Sequence, residues 1–209
     1  MMFNVYHWRK CLILATCCNL VNALIKLSYS NWDVKNLCCV AYVLSCFFRA
    51  CFPVIYNERV SLLSGILNTA FIGRLVANLG EIACGFQMYY YFQEQDHVFI
   101  KFVSSVIPVI VALSNTFCWI ALLTMNYFYN IIEELGWTLV GLIVTLFYFI
   151  MCLENEVYQK HVMCSMLYTI YMLSFDVPLQ MRHHEQNKEK KAIDSMARTA
   201  NFFSDGGKF

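Results

Sequence analysis

The stretch WTLVGLIVTLFYFIMCL, from Trp137 to Leu153, contains no charged residue, and after the polar segment Glu154 to Lys160 a second apolar run extends from about His161 to Val177. An α-helix rises about 1.5 Å per residue, so about 20 mostly apolar residues cross the roughly 30 Å of hydrocarbon in a bilayer. Hydrocarbon offers the backbone no water, and a helix satisfies its peptide groups internally. Two such runs joined by a short polar turn therefore read as a transmembrane hairpin.

Four more runs precede the hairpin. They extend from about Cys11 to Ile25 with Asn19 and Asn22 inside, Leu37 to Tyr56 with Arg49 and Pro53, Ile66 to Phe92 with Arg74, Glu81 and Gln87, and Phe102 to Tyr129 with Pro108. The sequence thus predicts an all-α polytopic transmembrane helix bundle of about six spans over residues 1–180, followed by a polar cytoplasmic tail over 181–209. Composition agrees: of 209 residues 59% are hydrophobic and only 14% charged, against about 25% charged in soluble domains. A net charge of +1 leaves no global field to attract nucleic acid, so none is expected as a partner.

Basic residues orient the spans. With both termini cytoplasmic, nine of them (Arg9, Lys10, Arg59, Arg182, Lys188, Lys190, Lys191, Arg198 and Lys208) fall inside. Four (Lys26, Lys35, Lys101 and Lys160) fall outside, and Arg49 and Arg74 lie within spans, which accounts for all 15. No small-residue cleavage site follows Ile25, so the first run reads as an uncleaved span. In the tail, Ile193, Met196, Ala197, Ala200 and Phe203 recur at helical spacing behind Lys188, Lys190 and Lys191. That pattern describes either an amphipathic helix lying on the membrane surface or a solvated tail. The eleven cysteines sit almost entirely in apolar runs, without zinc spacing or a disulfide framework, and read as small packing residues. Neither a metal nor a cofactor is expected.

The third run holds the candidate site. At about 100° per residue Arg74, Asn78, Glu81 and Gly85 share one face, beside a strip of small residues, Gly73, Ala77, Gly80 and Cys84, that lets a neighbouring helix approach closely. This predicts a central helix with partners on two adjacent faces. Arg74 and Glu81 stand about 10.5 Å apart along the axis, so each is expected to pair with another helix or with water. If the fourth helix continues to its polar end, Asn115, Trp119, Asn126, Asn130, Glu133 and Trp137 fall on one side of it. The expected topology then collects Arg49, Arg74, Asn126, Asn130, Glu133 and Glu134 in the cytoplasmic half, with Glu81 near mid-membrane.

Ionisable groups in a span need a partner, water or an exit. A structural ion-pair network is the first reading of this zone, a solute or proton pathway the second, and catalysis the third. Catalytic templates are missing: there is no G-x-S-x-G elbow, no H-E-x-x-H and no glycine-rich phosphate loop. His7, His97 and His161 lie at expected membrane edges with no assignable carboxylate. The stretch Ala70-Phe71-Ile72-Gly73-Arg74 with Glu81, and then Glu133-Glu134 with Trp137, resembles a pattern in a diffuse group of polytopic membrane proteins of unassigned function. The resemblance covers roughly residues 47–140 and implies no activity. The expected role is therefore non-enzymatic, either small-solute or proton passage or service as a structural membrane subunit, with membrane lipids and other membrane subunits as partners. The alternative is a membrane-embedded enzyme acting on a lipid, with Glu81 or Glu133 as general acid or base.

Overall fold

The computed structural model describes residues 5–29, 33–55, 60–61, 65–187 and 207–208. Among the described residues the chain is all-α in substance, with six helical rods, and these residues form two compact units. The first is drawn from Met1–Glu94 and Asp194–Phe209, the second from Gln95–Ile193. Five of the rods are long and apolar enough to cross a membrane: Arg9–Tyr29, Val34–Cys51, Val98–Thr124, Tyr127–Glu154 and Glu156–Gln186. The sixth rod, Ala70–Gln93, is long enough at 24 residues. Its composition sets it apart, because Arg74, Asn78, Glu81 and Gln87 interrupt an otherwise apolar helix.

In the first unit α1 (Val5–Tyr29) packs on α2 (Val34–Cys51), and α2 packs on α3 (Ala70–Gln93). Apolar side chains of α1 such as Leu14 and Val21 stay exposed, as a lipid-facing helix requires. Thr69 caps α3 by accepting a hydrogen bond from the Ile72 N–H at 3.3 Å. Between α2 and α3, β1 (Val54–Ile55) pairs antiparallel with β2 (Val60–Ser61), which pairs in parallel with β3 (Gly207–Lys208). The Arg9 guanidinium donates to the Cys51 carbonyl at 3.0 Å. The start of α1, the end of α2 and Gly207–Lys208 therefore lie at one end of this unit.

The second unit is organised around α6 (Tyr127–Glu154), which packs against α5 (Val106–Thr124), α7 (Gln159–Tyr171) and α8 (Val177–Asn187). Two glycines of α6 explain how its neighbours come close. A Cβ on Gly136 would lie 2.0 Å from Ser114 Oγ on α5, and one on Gly141 would lie 2.7 Å from Thr169 Oγ1 on α7. The short α4 (Val98–Ser104) precedes α5, and the break at Ser105 follows from Pro108, which has no N–H to offer the Ser104 carbonyl. The π-helical turn Met172–Asp176 similarly sits just before Pro178. Glu154 ends α6, the 3-10 turn Glu156–Tyr158 follows, and α7 returns along α6, which is the expected hairpin.

Two expectations are corrected here. The fourth helix does not continue through Tyr129: Met125 takes a left-handed conformation with φ 52°, Asn126 caps a new helix, and α6 begins at Tyr127. Asn115 and Trp119 therefore belong to α5, while Asn130, Glu133 and Trp137 belong to the early turns of α6. The last rod runs on to Asn187, so the polar tail begins with helix rather than at residue 181. The amphipathic pattern from Ile193 to Phe203 lies outside the described residues. In addition, α3 carries an exposed apolar stripe, Leu75, Leu79, Ile82 and Phe86.

Candidate functional site

The polar stripe of α3 closes into an ion-pair network. Arg74, only 4% exposed, reaches along its own helix to Glu81, with Nη2 at 3.2 Å from Oε2. Sequence reasoning placed these two side chains out of reach of each other. They meet because Glu81 leans back toward the start of the helix and the long Arg74 side chain reaches forward, together spanning the two turns between them. The second expectation, a partner on another helix, holds for Glu81: Arg49 of α2 places Nη1 3.9 Å from Oε1. One carboxylate thus faces two guanidiniums, one from its own helix and one from its neighbour. Asn78, between Arg74 and Glu81 on the stripe, is 6% exposed, and its Oδ1 has no hydrogen-bond partner among the described residues.

The adjacent strip of small residues explains how α2 comes near enough for Arg49 to take part. Gly80 faces Ser45, whose hydroxyl donates to the Val76 carbonyl of α3 at 2.9 Å. A Cβ on Gly80 would lie 2.3 Å from Ser45 Cβ, so the approach at this point requires glycine. Ser45 was not among the sequence candidates. The signal was there, since Ser45 and Arg49 are one helical turn apart and share a face of α2.

Asn126, Asn130, Glu133 and Glu134 belong to the second unit, and Arg49, Arg74, Asn78 and Glu81 to the first. Asn126 is a capping residue whose Oδ1 accepts from the Phe128 N–H at 3.2 Å. Asn130 Oδ1 is buried without a hydrogen-bond partner among the described residues, and Glu133 is 5% exposed, with Glu134 half-buried beside it. Asn115 is buried on α5 and donates to the Val111 carbonyl at 3.0 Å. The histidines gain partners the sequence did not indicate. His97 Nε2 lies 3.0 Å from Glu154 Oε2, and His183 stacks on Tyr127 with ring centroids 5.3 Å apart. At the far end of α2 and α3, Lys35 is held between Asp33 and Glu94.

The eleven cysteines are all free thiols. Among the described residues no group of three or more His, Cys, Asp or Glu side chains could hold a metal ion. Helices of this length and composition define a multi-pass membrane protein. No family model matches the chain, and neither a curated protein nor a solved structure matches it.

Proposed function

We propose that the chain is a structural subunit of a membrane, with both termini on the cytoplasmic side, and that the Arg49–Glu81–Arg74 network locks α3 against α2. One observation carries this reading: the two oxygens of Glu81 face two different guanidiniums, at 3.2 Å and 3.9 Å. A clasp of that kind satisfies charges within a span and specifies how two helices pack. Both Glu81 oxygens are engaged, which disfavours Glu81 as the general acid or base of a lipid-acting enzyme. A common side for the termini is supported by the basic residues counted above and by the start of α1 lying at the same end as Gly207–Lys208.

Small-solute or proton passage is the second reading. The buried amide oxygens of Asn78 and Asn130, without a hydrogen-bond partner among the described residues, favour it as groups that water or a solute would satisfy. Expression, thermal stability and complementation of a deletion strain by Arg74→Met with Glu81→Leu separate the two. A folded double variant with full complementation supports the structural role. A folded double variant that fails to complement assigns these residues to a pathway and refutes it. Tags at both ends should resist protease in intact cells and be cleaved after permeabilisation; external cleavage of the amino-terminal tag would refute the sidedness.

A further inference from the structure

The first helix carries two amides that the ion network does not use. Asn19 is the middle residue of the 21-residue apolar span Arg9–Tyr29, about 15 Å from either end, and Asn22 lies one turn further along α1. Both are exposed, and neither has a hydrogen-bond partner among the described residues. Thr16 and Ser28 of the same span turn their hydroxyls back on the helix, donating to the Leu12 carbonyl at 2.9 Å and to the Ile25 carbonyl at 2.7 Å. An amide this deep in hydrocarbon has no water to bond, and its two N–H donors and its oxygen call for a partner of their own kind.

The two asparagines belong to one continuous face. At about 100° per residue, Cys11, Ala15, Cys18, Asn19, Asn22 and Ile25 fall within an arc of about 120°, and all six are exposed. Leu20, half-buried, and Leu27, buried, mark the opposite side, where α1 packs on α2. From Cys11 through Ala15, Cys18 and Asn22 to Ile25 the spacing alternates between four and three residues, the pattern of a seam between two helices. Cysteine and alanine are small, so a second helix can come close enough along this seam for short amide side chains to meet.

We propose that this face of α1 pairs with the same face of a second copy, making the chain a homodimer in the membrane. Copies inserted with one orientation are related by a two-fold axis along the membrane normal, so their α1 helices meet in parallel and each seam residue faces itself. Asn22 is thereby set opposite its own counterpart. A carboxamide both donates and accepts, so two of them exchange reciprocal hydrogen bonds with no other group, which is the complementarity that selects a second copy as the occupant. An asparagine at one seam position also fixes the register of a parallel pair. The inference rests on the reading of the chain as a structural membrane subunit and names its partner.

The test joins two measurements on the full chain: thiol oxidation by copper phenanthroline in isolated membranes, and sedimentation equilibrium of the purified protein in neutral detergent. Cys11 and Cys18 are exposed on the seam, so oxidation should give a band at twice the monomer mass. That band should vanish in Cys11→Ala with Cys18→Ala and persist in Cys164→Ala, whose exposed thiol lies on α7. An interhelical hydrogen bond in a membrane is worth about 2.7-fold in affinity, so Asn22→Leu, which removes a reciprocal pair, should weaken the dimer about sevenfold. Leu24→Ala, exposed on the far side of α1, should leave it unchanged. A chain monomeric by both measurements would assign the face to lipid, to another membrane protein or to a different segment of the same chain, and would overturn the proposal. A cross-link that survives loss of Cys11 and Cys18, or a dimer of unchanged strength in Asn22→Leu, would overturn it equally. A monomer would leave the Arg49–Glu81–Arg74 clasp standing, because that network lies on α2 and α3, and failure of the clasp would leave the dimer standing.

Discussion

Replacing Gly80 with alanine probes the contact on which the first unit depends. The new Cβ would stand 2.3 Å from Ser45 Cβ and 2.5 Å from its Oγ. The hydroxyl can rotate away, but Ser45 Cβ is fixed to the α2 backbone. Ordinary carbon contacts lie at about 3.5–4.0 Å, so α2 must retreat by about 1.2–1.7 Å. That retreat breaks the Ser45–Val76 hydrogen bond and lengthens the 3.9 Å approach of Arg49 to Glu81. Overpacking costs about 1–3 kcal/mol, the lost bond about 0.6 kcal/mol in a membrane, and alanine returns up to about 1 kcal/mol of helix propensity. The expected net loss is about 1–3 kcal/mol, measured by reversible unfolding in mixed detergent micelles. Adding Ser45→Gly removes the opposing Cβ and should restore most of the loss apart from the hydrogen bond. Wild-type stability in Gly80→Ala, or no recovery in the pair, would refute the helix approach described here.

The ion network predicts an order of effects rather than equal ones. Glu81→Leu leaves Arg74, at 4% exposure, and Arg49 without their shared carboxylate and should cost about 3–5 kcal/mol, whereas Arg74→Met leaves Glu81 with Arg49 and should cost less. Combining the two should recover much of the loss, since the half-exposed Arg49 can turn to the interface; a double variant as unstable as Glu81→Leu alone would contradict this. In the second unit, Gly136→Ala places a Cβ 2.0 Å from Ser114 Oγ but 3.2 Å from its Cβ. The hydroxyl can swing aside, so the loss should be smaller than at Gly80, about 1 kcal/mol, and Ser114→Ala should relieve it. With eleven free thiols, monomer mobility on a denaturing gel should be unaffected by reductant, and a reductant-dependent shift would show a disulfide.

Much of this architecture is legible in the sequence because bilayer thickness and backbone hydrogen bonding act on each helix separately. Charge-free runs such as Trp137 to Leu153 need no neighbour to be helical, and the turn after Glu154 follows from local polarity. The small strip along α3 likewise announces a close approach, because side-chain volume is a property of each residue. Other features depend on more than the local pattern. The end of α5 at Met125 carries no glycine or proline signal, and hydrophobicity alone carries the fourth span on to about Tyr129. The pairing of Arg74 with Glu81 turns on side-chain reach and burial rather than axial rise. Which helix faces Gly80, and therefore that Ser45 and Arg49 complete the site, is decided by the packing of α2 on α3. Spans arise from interactions between a helix and the bilayer, which composition records; partners arise from contacts between distant segments, which only the tertiary structure brings together.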